Sequence, residues 1–172
     1  MQPLYQLTAV DVRRAEEAGT SRATTITKIT LPGLTFAGAD HTPGGGVMAV
    51  KFAQPRLDAI EPKFEVKGLD LDVFRGLGKP DKWIFAGAYR EKRPGGGGTV
   101  GARAIIQGAI SVWEPDESDP AAFQGCNHTI TEVTHYELVL DGVELFYIDF
   151  FENVLRVNGV DMFADDRKAL GI

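Results

Sequence analysis

Residues 127–151 read NHTITEVTHYELVLDGVELFYIDFF, and this stretch decides the fold class. Thr, Ile, Val, Tyr and Phe crowd both of its arms. Their stiff or broad side chains suit a pleated surface better than a helix. Asp141-Gly142 separates the arms, and Asp-Gly readily takes the positive φ that a two-residue hairpin turn requires. The pattern predicts a long strand over residues 127–140, a tight turn, and a second strand over residues 143–151.

Similar signals extend outward from this hairpin. Residues 82–91 (KWIFAGAYRE) and 99–113 read as two strands joined by Arg93-Pro94 and four glycines, a hairpin with a flexible tip. A polar, acidic loop over residues 114–120 follows. In residues 59–67, Glu61, Lys63, Glu65 and Lys67 point one way, whereas Ile60, Phe64 and Val66 point the other. Residues 70–77 (DLDVFRGL) predict a short helix with Asp70 as N-cap and Gly78 past its end. The β-branched run over residues 21–31 (SRATTITKITL) predicts a strand broken by Pro32-Gly33. Beyond the central hairpin, residues 155–160 suggest another strand with Asn158-Gly159 as its turn. Residues 161–170 end the chain as a short helix before Gly171. Residues 8–18 fit either a short helix or an extended arm. The expected fold is mainly β, a sandwich or partial barrel with one or two short helices, and no internal repeat is visible.

Residues 33–55 do not follow these periodic patterns. They hold Gly38, Pro43, Gly44, Gly45 and Gly46 with few periodic apolar positions, and are read as a long loop. A loop of that length inside a compact domain commonly serves a partner.

The chain has 172 residues, the usual size of one domain with one core. Hydrophobic residues at 44% and charged residues at 24% give an ordinary globular composition. A net charge of -6 argues against a general phosphate binder, which needs clustered Lys and Arg, but permits nucleic acid to slide past an acidic wall. No apolar run approaches the length of a membrane span. The charged N-terminus, with Asp11, Arg13, Arg14, Glu16 and Glu17, is unlike a signal peptide. Cys126 is the single cysteine, which rules out an intrachain disulfide and suits a reducing cytoplasm.

Candidate chemistry is thin. Gly96, Gly98 and Gly101 satisfy G-x-G-x-x-G, but a β-like run follows where a dinucleotide site needs a helix. Cys126 and His128 share strand parity while His135 faces the other side, so one strand offers too few ligands for a structural zinc. His41 beside Asp40 has no nucleophile partner. Ser21, Ser111 and Ser118 lack a nucleophile-elbow context. Glu16-Glu17 and Asp165-Asp166 read as solvated pairs, and the sequon at Asn127 has no secretory signal with it. No catalytic, cofactor-binding or metal-binding residue is expected.

Three C-terminal motifs do point to a family. LVLDGVELFYID (residues 138–149), VNGVD (157–161) and RKALGI (167–172), in that order and spacing, resemble the end of the major tail tube protein of contractile-tailed phages and R-type pyocins. Thr30-Leu31-Pro32 and the Gly44-Gly45-Gly46 cluster before Met48 extend the resemblance back to about residue 27. Residues 7–22 depart from the family's usual first segment, so residues 1–22 form a divergent N-terminal arm.

The resemblance implies a structural subunit and not an enzyme. It would be a single tail tube domain over residues 1–172 whose copies form hexameric rings that complete a β-barrel. The rings would stack into the conduit for DNA ejection. Its implied partners are further copies of itself, the sheath protein outside, the tape measure protein and genomic DNA in the lumen, and the baseplate and tail terminator proteins, with no membrane anchor. Its implied location is the virion tail, after assembly in the host cytoplasm. Under this reading Gly38, Asp40, His41, Gly44, Gly45, Gly46 and Met48 belong to an inter-subunit or inter-ring loop. Glu61, Lys63, Glu65 and Lys67 form a candidate lumen face, although an ordinary solvated sheet face has the same pattern. The other readings are the tube of a headless bacteriocin or secretion-type particle and, from another class, a small-ligand-binding β-barrel.

Overall fold

A computed structural model describes residues 3–17, 19–118 and 120–172. The strands in chain order are β1 (Leu4–Arg14), β2 (Ile26–Thr30), β3 (Phe36–His41), β4 (Val50–Leu57), β5 (Lys63–Lys67), β6 (Pro80–Lys92), β7 (Thr99–Pro115), β8 (Gly125–Leu140), β9 (Val143–Asp149), β10 (Val154–Val157) and β11 (Val160–Asp161). Two short helices, α1 (Leu71–Arg75) and α2 (Ala164–Leu170), complete the elements the argument needs. The fold is mainly antiparallel β, as the alternating patterns predict.

The main sheet runs β1-β6-β7-β8-β9-β10-β11, and β8 organises it. The C-terminal part of β8 pairs with β9 from His135↔Asp149 to Leu140↔Val143, around the predicted Asp141-Gly142 turn. Its N-terminal part instead pairs with β5 from Gly125↔Lys67 to Thr129↔Lys63, and β5 in turn carries β2. One strand changes neighbours because β7 and β8 bend together. Their register shifts between Gln107 and Ala109 and again between Ile110 and Val112. Glu132 takes φ 50° at the bend. A Cβ on Gly108 would lie 2.7 Å from the Thr131 carbonyl oxygen, so only glycine lets the strands approach there.

The bend folds the sheet over its own apolar face. Phe64, Trp83, Phe85, Ile106, Ile110, Ile130 and Tyr136 are all essentially fully buried there. Phe64 meets Trp83 at 5.6 Å and Phe85 edge-on at 5.7 Å. Helix α1 adds Val73 to the same core. Each such side chain contributes about 1.5–3 kcal/mol of burial. Among the described residues the sheet does not close into a barrel: β1 pairs only with β6 and β2 only with β5.

The structure revises several sequence expectations. The Leu4–Arg14 segment, undecided between helix and arm, is an 11-residue strand on β6. Most of the expected long loop over residues 33–55 is instead the β3–β4 hairpin, which runs on to Leu57. Period-2 burial is its missing signal, because this hairpin buries neither face. The predicted helix over 70–77 is shorter, since Gly76 caps it. Strand β9 ends at Asp149, whose carboxylate accepts from the Phe151 and Glu152 amides and turns the chain. Helix α2 starts at Ala164 and ends at Leu170, with Gly171 as its C-cap at φ 75°.

Candidate assembly surface

The β3–β4 hairpin is a separate two-stranded sheet, paired from Phe36↔Leu57 to His41↔Val50 with a register shift between Phe36 and Gly38. It contributes no residue to the buried core. Gly38 is required within the arm itself: a Cβ there would lie 2.7 Å from Lys51 Cε and 3.1 Å from the Phe52 carbonyl oxygen. Gly46 turns back on Pro43, donating its amide to the Pro43 carbonyl at 3.2 Å. Gly44 and Gly45 face open space. Asp40 pairs across the strands with Lys51, and His41 with Val50, at the exposed outer end. Val47 is fully exposed, Met48 is 65% exposed and Phe52 59%. A two-stranded hairpin alone in water is marginal, so these apolar side chains give the arm reason to seek another surface. Of the predicted loop residues, Gly38, Asp40 and His41 lie on β3, while Gly44, Gly45, Gly46 and Met48 belong to the turn. Sequence reading missed Val47 and Phe52 because neither falls in an alternating pattern.

The second predicted set lies on β5. Phe64 and Val66 point into the core, so Lys63, Glu65 and Lys67 point outward, as the alternation requires. Glu61 precedes the strand and is exposed. Lys67 Nζ lies 3.0 Å from Glu65 and 2.5 Å from Asp116. Hydrogen bonds to these two carboxylates raise its pKa. A shallow groove brings Glu61, Lys63 and Glu65 beside Lys28, Glu114 and Asn127. The face is therefore polar and of mixed charge.

A polar clamp fixes β1 and α1 against this framework. The Asp11 carboxylate accepts from the Arg22 amide at 2.7 Å, from Ser21 Oγ at 2.9 Å and from Arg13 Nε at 2.6 Å. Burial works against its charge, yet these donors hold its pKa below the ordinary value. Arg22, itself buried, donates through Nε to Asp70 at 2.5 Å. Asp70 also caps α1 by accepting from the Asp72 and Val73 amides. Arg14 binds Asp81 and lies over the Trp83 ring. Asp11, Arg14 and Arg22 thus tie the N-terminal segment into the fold.

Beneath α1, Cys126 and His128 share a buried face, as their parity predicts. Sγ and Nε2 are 3.2 Å apart, and the imidazole stacks on Phe64 at 4.9 Å. His135 lies elsewhere, on Asp149 at 2.9 Å. No group of three or more potential metal ligands occurs among the described residues.

Residues 14–171 match the model of a protein family described as phage tail tube protein FII. A chain from the cryo-EM structure of the anti-feeding prophage (AFP) baseplate is similar at 10% identity with a TM-score of 0.48, covering 81% of this chain and 94% of that one. No curated protein matches the sequence.

Proposed function

The chain belongs to the phage tail tube protein FII family and is a structural subunit of a virion tail tube; on that premise we propose that its copies close into hexameric rings and stack into the DNA conduit of a contractile tail. The observation that carries the ring is the open sheet. Among the described residues, strands β1 and β2 each keep one edge without a strand partner, and such edges invite pairing with another chain. A closed ring satisfies them, with one surface of each subunit meeting a different surface of the next. The β3–β4 arm, including Gly38, Asp40, His41, Gly44, Gly45, Gly46 and Met48, reaches to a neighbouring copy and buries Val47, Met48 and Phe52 there.

Deleting residues 38–46 tests the arm. Soluble, folded monomers that neither form rings nor elongate under electron microscopy are the expected outcome. Normal tubes from that variant would refute the arm's role.

The Glu61, Lys63, Glu65 and Lys67 face is proposed to line the lumen, where a polar wall of mixed charge would let DNA pass without adhering. Reversing Glu61 and Glu65 to Lys should leave assembly intact and lower infectivity. Unchanged infectivity would remove these residues from the lumen. The protein acts without catalysis and meets the sheath, tape measure, baseplate and terminator proteins during assembly in the host cytoplasm. A headless contractile particle would use the same subunit architecture, and neighbouring capsid and terminase genes would mark a phage. The ligand-binding barrel is disfavoured, because the sheet stays open and aromatic side chains fill its interior.

A further inference from the structure

Strand β8 changes partner along its length, and the change leaves a fork in the sheet. Its pairing with β5 stops at Thr129↔Lys63 and its pairing with β9 starts at His135↔Asp149, so residues 130–134 pair with neither strand. The β4–β5 connector, residues 58–62, runs beside this gap. Pro62 pins one end of the connector: it is fully buried, and its carbonyl accepts from the Ile130 amide at 2.9 Å. Asp58 pins the other end by donating its amide to the Thr35 carbonyl at 2.9 Å. A cleft of about 570 Å³ lies between connector and sheet.

The lining of the cleft is chiefly apolar. Leu57 and Ile60 form one wall, and Val133, Ile148, Leu155 and Phe163 form the other. Tyr136 closes the cleft from below, with only 1% of its surface exposed. Its ring stacks on Phe146 at 6.5 Å, which fixes its position. A buried tyrosine ordinarily finds a hydrogen-bond partner for its hydroxyl. Here no group among the described residues supplies one, and burial alone pushes the pKa up to about 12. At the mouth, Arg56 and Asp58 are exposed without an ion pair among the described residues. Asp149 is held by His135 at 2.9 Å. Opposite charges therefore balance at the mouth.

Apolar clefts of about 300–1,000 Å³ with a few fixed polar groups are suited to small ligands. The volume here equals that of a cube roughly 8 Å on a side, whereas a helix with its side chains is about 10–12 Å across. A partner helix is therefore too wide. The balanced mouth gives no preference to a net charge, and the unpartnered phenol calls for an acceptor. We propose that the cleft binds a small neutral apolar molecule with one hydrogen-bond acceptor, of the aromatic ketone class. Its acceptor takes the Tyr136 hydroxyl proton in a hydrogen bond, and its apolar body lies against Ile60, Val133, Ile148 and Leu155. The site depends neither on ring closure nor on the β3–β4 arm.

Acetylnaphthalene and ethylnaphthalene test the site, because they share a shape and differ by one carbonyl. In calorimetric titration of dilute, unassembled subunit, the ketone should bind about fivefold more tightly than the hydrocarbon, as one net hydrogen bond provides. Y136F keeps the ring and removes only the hydroxyl. It should weaken the ketone to the level of the hydrocarbon. The urea midpoint of Y136F should stay fixed or rise, because the lost donor had no partner. Methyl resonances of Ile60, Val133, Ile148 and Leu155 should shift when the ketone is added. Equal ketone affinity in wild type and Y136F, no binding of either probe, or shifts confined to the exposed Val47 and Met48 would each overturn the site. A clearly lowered urea midpoint in Y136F would do the same, since it would reveal an internal partner for the hydroxyl. Ketone taken up by dilute subunits but excluded from assembled tubes would assign the cleft to a contact between copies and end the ligand reading. Failure of the wild type to form rings bears on the ring proposal alone.

Discussion

Acidification should weaken the subunit through His128, and the size of the effect follows from where the imidazole lies. Burial against Phe64 and Phe74 lowers its pKa from 6.5 to about 4, even though the Asp70 charge opposes the shift. Its Nδ1 finds no acceptor among the described residues. Burial also raises the Cys126 pKa, so the thiol stays protonated beside Nε2 at 3.2 Å. Because the folded pKa lies below the unfolded one, the unfolded chain binds the proton first. Stability is full above pH 6.5, declines as pH falls from 6.5 to 4, and loses about 3 kcal/mol in all. At pH 5 the two proton-binding factors differ about thirtyfold, which corresponds to about 2 kcal/mol. Asp11, Asp70, Asp149 and Asp161 have lowered pKa values, so their contributions are lost only below the ordinary carboxylate range and leave pH 5 clear. Urea unfolding of dilute, unassembled protein, followed by tryptophan fluorescence, measures the difference between pH 7 and pH 5. H128F removes the titrating group and should flatten that difference whatever its absolute stability. Equal pH dependence in wild type and H128F would refute the argument.

Two further substitutions separate other parts of the fold. D70A removes both the α1 cap and the partner of a buried guanidinium, and should cost about 3 kcal/mol in urea unfolding. D70N, which can still cap but carries no charge, should cost less, and equal losses would show that the cap contributes nothing. G125A places a Cβ 2.3 Å from the Val66 carbonyl oxygen and 2.7 Å from Lys67 Cδ, so β5 must shift off β8. A loss of about 1–3 kcal/mol is expected in thermal or urea unfolding, and a neutral result would contradict the close approach.

The central hairpin was legible because its signals are local. Asp141-Gly142 specifies a turn, and alternation in residues 59–67 places Phe64 and Val66 inside before any contact is known. The Asp70 cap and the Gly171 stop were legible for the same reason. What escaped depends on distant residues. Nothing near Thr8 reveals that Leu4–Arg14 pairs with β6, because that strand is chosen by Asp81–Arg14 and Asp11–Arg22 contacts across the fold. The β3–β4 arm escaped because an unburied hairpin leaves no hydrophobic period to read.

The distribution of apolar side chains separates folding from assembly. Inside, the aromatic core and the Asp11–Arg22–Asp70 clamp are complete within one chain, so the subunit has its own reason to hold β1 and α1 in place. Outside, Val47, Met48 and Phe52 on the arm and Leu69, Trp113 and Phe123 at the end of β7 have large exposed surfaces. Burying such groups contributes about 1.5–3 kcal/mol each, and that stabilisation becomes available only when a partner supplies the covering surface. The two sets share few residues. Changes such as G125A should therefore alter unfolding first, whereas changes in the arm should alter polymerisation while leaving the unfolding midpoint of the isolated subunit almost fixed.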